Sequence, residues 1–361
     1  MNKKEDFLIK VKRVRKLLEE KDLDAVTIQS QANFTWLTGA RSFIGLASVD
    51  ACASIIVDKE SAIIVVNNIE YSRIAEEEVA PIKDEIEIKA FNWYEDNKKN
   101  EFVAEYLKNK KFSPDSALGG DFMKLRAELT GYEIEEYKWL GKTTAGIVEE
   151  ACFQMKRGTT EFETAGFMSR ELWSNGIEPI TMLISFDERF KYKHPVPTEN
   201  KFDKFGMLSV CTRKQGLIAS ATRHISAGNF SKQIDEIYNK VAGLEIFLME
   251  NSRPGTNIGS LFSSLTEQFK LTGYENEWQF HHQGGTTGYA ARDVRADENI
   301  DFNIVNNQAL AWNPSIKGIK LEETIIVNEG GYEVITNTGN FKYRKIDFND
   351  KKVSIPDIYV I

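Results

Sequence analysis

Cysteine is scarce in this chain, with three in 361 residues, at positions 52, 152 and 211. An odd and widely spaced set argues against a disulfide framework or a multi-cysteine zinc site and fits reduced thiols. Histidine is nearly as rare, with four. No run approaches the roughly 18 apolar residues of a membrane span. The opening MNKKEDFLIKVKRVRKLLEEK is charged and amphipathic, with no apolar leader core. The expectation is a cytoplasmic chain with no membrane partner. Basic residues are in deficit, 46 Lys and Arg against 54 Asp and Glu for a net charge of −8, and the pI is about 5.4. The clustered cations that nucleic-acid phosphates require are therefore lacking, and small molecules are the expected partners.

At 361 residues the chain exceeds one ordinary core, and a usual domain size of about 100 to 200 residues favours two domains. Phe7, Val11, Val14, Leu17 and Leu18 recur at helical spacing over residues 6–21, which predicts an opening helix. Runs rich in β-branched residues follow, AVTIQS (25–30), ACASIIVD (51–58) and SAIIVVNN (61–68), as in an α/β sandwich. From 132 the pattern turns helical, and domains are expected at 1–125 and 126–361. In the second, KRGTTEFETAGFMSRELWSNG (156–176) and SRPGTNIGSLFSSLTEQFKLTG (252–273) each open with Arg, Gly and Thr and close with a glycine suited to a left-handed cap. Their Gly-Thr pairs and their closing glycines are both 97 residues apart, which points to an internal duplication. Strand-like segments follow each copy: GMLSVCTRKQGLIASATR (206–223), then QALAWNP (308–314) and GIKLEETIIV (318–327). Two such halves would share a cleft, the default place for a site.

HHQGGTTGY (281–289) holds two of the four histidines beside three glycines. Such a segment could hold a metal, relay a proton or merely pack. On a strand His281 and His282 would point to opposite faces, so at most one is expected to serve a pocket. Gly284 and Gly285 would let backbone N–H groups approach a carbonyl or oxyanion.

QANFTWLTG (31–39) and the ordered series HPVPT (194–198), GLIASATR (216–223), HHQGG (281–285), WNPSI (312–316) and GIKLEET (318–324) resemble the creatinase and prolidase superfamily, peptidase family M24. The resemblance spans nearly the whole chain. It implies an α/β (α+β) fold, with a creatinase-like N-terminal α/β domain followed by a pita-bread C-terminal domain containing an internal pseudo-twofold duplication. It also implies a homodimer, in which Arg41 of GARSFIG could reach the other subunit's cleft; a surface-loop cation is the plainer reading. Metal-dependent members of the family bind two divalent ions through two Asp, one His and two Glu. The matching positions here are Ser209, Ser220, His282, Asn313 and Glu322, so only His282 and Glu322 keep the family's ligand type. Divalent ions need anionic oxygens to replace their lost hydration. One His and one carboxylate also fall short of the three protein ligands of a catalytic zinc site. The expectation is a pocket with no metal and no cofactor. Two ions such as Mn or Co belong to the alternative, an Xaa-Pro metallopeptidase.

The resemblance to creatinase, a metal-free member, sets His194 as the acid/base, because neutral imidazole near pH 7 can take a proton from water and return it to a leaving nitrogen. His282 would offer a hydrogen bond at the reacting centre, and Glu322 would anchor a cationic group or carry a second proton. Arg213 and Arg223 either hold a substrate carboxylate or pair with acidic residues on a neighbouring strand. Tyr289, Arg292, Ser209, Ser220 and Asn313 complete the lining candidates, Tyr289 equally suiting packing. His224 is read as structural and Cys211 as a buried inert thiol. The function expected is metal-independent hydrolysis of a C–N bond in a small amide, amidine or guanidine-type compound. A catalytically inactive pita-bread binding protein is the third reading.

Overall fold

The computed structural model describes residues 1–361, which divide into two compact units, Met1–Tyr132 and Glu133–Ile361. The first opens with α1 (Lys3–Glu20), closed at its start by a capping box between Asn2 and Glu5. Its periodic Phe7, Val11, Val14, Leu17 and Leu18 are buried. The β-branched runs become β1 (Ala25–Ser30), β2 (Asp50–Asp58) and β3 (Ala62–Asn67), with α2 (Gln31–Thr38) after β1. β4 (Glu87–Phe91), α3 (Asp96–Leu107), β5 (Phe112–Pro114) and α4 (Gly119–Ala127) complete the unit. Its strands form one sheet in the order β4-β3-β2-β1-β5.

The second unit is built twice over the same plan. α5 (Gly131–Phe153) and α6 (Glu161–Ser174) lead into β6 (Glu178–Phe186), β7 (Phe205–Lys214) and β8 (Leu217–Ser226). α7 (Lys232–Asn251) and α8 (Ile258–Thr272) lead into β9 (Gly284–Thr287), β10 (Gln308–Trp312), β11 (Ser315–Ile316), β12 (Ile319–Lys320), β13 (Glu323–Asn328) and β14 (Gly331–Val334). β15 (Tyr343–Phe348), β16 (Lys351–Pro356) and β17 (Tyr359–Val360) follow. The duplication is visible in the backbone. Gly158 and Gly255 have φ of 88° and 89°, and each donates its N–H at 2.8 Å to a carbonyl in the segment after its helix, Phe202 and Ile304 respectively. Such positive φ is free of steric cost only for glycine.

Two four-stranded sheets result, β17-β8-β7-β6 and β14-β13-β10-β9. They join along β8 and β13, where Thr324 Oγ1 donates to the Ser220 carbonyl at 2.9 Å and accepts from its N–H at 2.8 Å. Next to this stitch Thr222 N donates to the Glu322 carbonyl at 3.0 Å. The seam thus brings the middle of β7 and β8 against the junction of β12 and β13. No helix is long and apolar enough to cross a membrane.

Candidate active site

β7 and β8 pair in a register that sets Ser209 opposite Thr222, and strand alternation turns both toward the segment carrying Lys320 and Glu322. There Glu322, 2% exposed, has both oxygens taken by cations. Oε1 accepts from Arg292 Nη2 and Oε2 from Lys320 Nζ, each at 2.9 Å. Lys320 also donates to Ser209 Oγ at 2.7 Å, which accepts from Thr222 Oγ1 at 2.9 Å. Burial alone would raise the Glu322 pKa, but Lys320 and Arg292 outweigh it and hold the group down at about 2. Glu322 is therefore a permanent anion, which does not suit a proton carrier, and its cationic partners leave no free oxygen to anchor a substrate cation. The sequence alone does not single out Lys320. A lysine in a short strand reads as a solvated face, and only the tertiary fold buries it to 4%.

His194, His281 and His282 gather beside this ion cluster. His194 lies on the loop between β6 and β7 and is exposed. Its ring centroid is 5.2 Å from that of His281 and 6.1 Å from that of His282, and the latter two stack at 4.6 Å. The expectation that at most one of the tandem histidines could serve the pocket is corrected here. Alternation applies only inside a strand, and β9 begins at Gly284, so both rings turn the same way. Burial, then the charge of Lys320, lowers the His281 pKa to about 2. Burial, then Arg292, lowers His282 to about 4. His194 is lowered by burial and then by Lys320. All three are neutral imidazoles at pH 7.

Arg223, 1% exposed, is enclosed by Glu149 of α5 at 3.1 Å, Glu323 of β13 and the Thr222 and Thr336 carbonyls. It holds elements together and has no room for a substrate carboxylate. Arg213 pairs with Glu178 directly across β6 and β7 at 2.5 Å. For both arginines the ion-pair reading is the one the geometry favours. Tyr289 donates to Glu133 of α5 at 2.6 Å and packs. Ser220 donates to Cys211 Sγ at 3.2 Å, and burial raises the Cys211 pKa, as for an inert thiol. Asn313, 4% exposed, donates its backbone N–H to Gln283. His224 is fully buried among Phe190, Phe205 and Tyr238. Arg41, in the first unit, pairs with Glu78 at 2.9 Å. Gly284 and Gly285 allow close strand packing: a Cβ on the first would lie 2.4 Å from the Ala311 carbonyl, and on the second 2.0 Å from that of Val294.

The donor set does not fit a pair of hard divalent ions. The family's ligand positions present two hydroxyls, an amide, one imidazole and a carboxylate already neutralised. The Lys320 ammonium lies between Ser209 and Glu322, where like-charge repulsion opposes a further cation.

Residues 10–138 match the model of the creatinase/prolidase N-terminal domain, and residues 135–329 that of metallopeptidase family M24. An uncharacterized peptidase of Staphylococcus epidermidis is 21% identical over 91% of this chain and 99% of its own length. An Xaa-Pro dipeptidase of Pyrococcus horikoshii is 21% identical over 91% of this chain and 97% of its own. The crystal structure of the prolidase from that organism superposes with a TM-score of 0.75 at 20% identity, covering 91% of this chain and 98% of the other. At that identity the likeness shows a shared fold.

Proposed function

The chain belongs to metallopeptidase family M24, and from that premise we propose that it hydrolyses a C–N bond in a small amide without the family's pair of metal ions. The observation that carries this reading is the Lys320 ammonium, 2.7 Å from Ser209 Oγ and 2.9 Å from Glu322 Oε2, supplying fixed positive charge at the family's ligand positions. Lys320, Arg292 and Glu322 together carry one net positive charge. That favours an amide carbonyl, whose oxygen becomes anionic in the transition state, over the amidinium and guanidinium members of the expected class.

In this mechanism His194, neutral at pH 7, takes a proton from a water whose oxygen attacks the amide carbon. The carbonyl electron pair moves onto oxygen, where the third N–H of Lys320 meets it. His282 offers a further hydrogen bond. His194 then passes its proton to the leaving nitrogen, the C–N bond breaks, and a carboxylic acid and an amine depart. An Xaa-Pro dipeptide, the substrate class in the Pyrococcus horikoshii relative's name, is itself an amide and belongs on the assay panel.

The test is amine release from primary amides, N-acyl amines, Xaa-Pro dipeptides, amidines and guanidino acids, each with EDTA present. Chelator-insensitive turnover of an amide that drops by about 10²–10⁴ in His194→Ala supports the proposal. Because His194 is exposed, that variant should keep its thermal midpoint. Turnover that appears only with two Mn or Co ions per chain would refute it.

A further inference from the structure

We infer that His194, His281 and His282 form a reversible site for one borderline divalent ion of the zinc, cobalt or nickel type, and that filling it withdraws His194 from the reaction. The inhibitory half rests on the function proposed above; the binding half does not. Each residue offers one ring nitrogen, and these atoms all lie within 4.8 Å of one another. Tetrahedral zinc holds its nitrogens at about 2.0–2.1 Å and so about 3.4 Å from one another; the most widely spaced donors must therefore close by roughly 1.4 Å. His194, exposed and carried on a loop, is the member able to move.

The other two are already set in place. His281 is 7% exposed. Its Nδ1 lies 3.3 Å from Ser315 Oγ, while its Nε2 is buried without a protein partner, as is Nδ1 of His282. Buried polar atoms without a hydrogen bond are uncommon. A hydroxyl fixing the far nitrogen is how proteins orient an imidazole ligand. The group contains nitrogen donors alone, which selects zinc, cobalt, nickel or copper over magnesium, calcium or manganese. It is a different place from the family's metal pair, whose positions include only His282 of the three. Three protein ligands leave a fourth position for water. The net positive charge of Lys320, Arg292 and Glu322 nearby weakens the attraction for a dication and keeps binding reversible.

The test uses the full chain, freed of metal with EDTA and dialysed, then titrated with ZnCl₂ by calorimetry and with CoCl₂ by visible absorption. One ion per chain is expected, with the intense visible bands of four-coordinate cobalt. Affinity should fall at least tenfold in His194→Ala and in His281→Ala, and by about 10- to 100-fold in Ser315→Ala. His194→Ala keeps the test valid even if His281→Ala fails to fold. Absence of saturable binding, or binding that survives both histidine variants, overturns the site. Zinc should stop amide turnover at the concentration where it binds, and turnover undiminished at saturation overturns the inhibitory half. An apo protein that binds one zinc yet turns over no amide sinks the proposed function and leaves the site standing.

Discussion

Lys320 and Glu322 are 4% and 2% exposed, so neither can fall back on water when its partner is removed. Lys320→Met should leave Glu322 with Arg292 as its one cationic partner and cost about 3 kcal/mol, measured as a shift in urea midpoint. The histidines set the pH dependence. With folded pKa values of about 2 and 4 against the ordinary imidazole value of 6.5, His281 and His282 refuse protons that the unfolded chain accepts. Their contribution is full above pH 6.5 and is lost as pH falls below it. Glu322 acts in the same direction lower down. Depressed from 4.5 to about 2, it stabilises above pH 4.5, and that stability disappears as pH falls toward 2. Stability should therefore drop between about pH 7 and about pH 5, and the drop should shrink when His281 and His282 are both replaced by Asn. An unchanged slope in the double variant would contradict the neutral-imidazole assignment.

At the scale of strands and helices, the β-branched runs of the sequence foretell β1, β2 and β3, and the strand-like segments after each repeated helix foretell β7, β8, β10 and β13. The 97-residue offset foretells the repeated glycine turns because positive φ admits little else. The site is legible only in part. His194, His282 and Glu322 are visible through motif position, whereas Lys320 and the second histidine depend on a seam between halves that no local pattern records. The two roles of Arg223 could be separated only once Glu149 and Glu323 were found around it, 74 and 100 residues away. Arg223→Met should strand both carboxylates and lower stability by about 3–5 kcal/mol, seen as a loss of thermal midpoint. Gly284→Ala, at φ 115° with its Cβ 2.7 Å from Trp312 Cα, should cost about 3 kcal/mol and reduce the yield of folded protein.

Across the whole molecule, each unit carries one fully buried tryptophan, Trp36 in the first and Trp312 in the second, both 0% exposed. With its own sheet and core, each unit should unfold as a separate cooperative transition. Urea titrations of Trp36→Phe and Trp312→Phe, followed by fluorescence, should give different midpoints; coincident curves would show that the two unfold together. The seam between the sheets also has a kinetic consequence. It ties Ser220 to Thr324, partners 104 residues apart in the chain, and contacts between such distant partners form slowly. A refolding chain will recover its helical signal first, and the histidines and Glu322 will come into register among the last events, so catalytic competence should lag behind secondary structure.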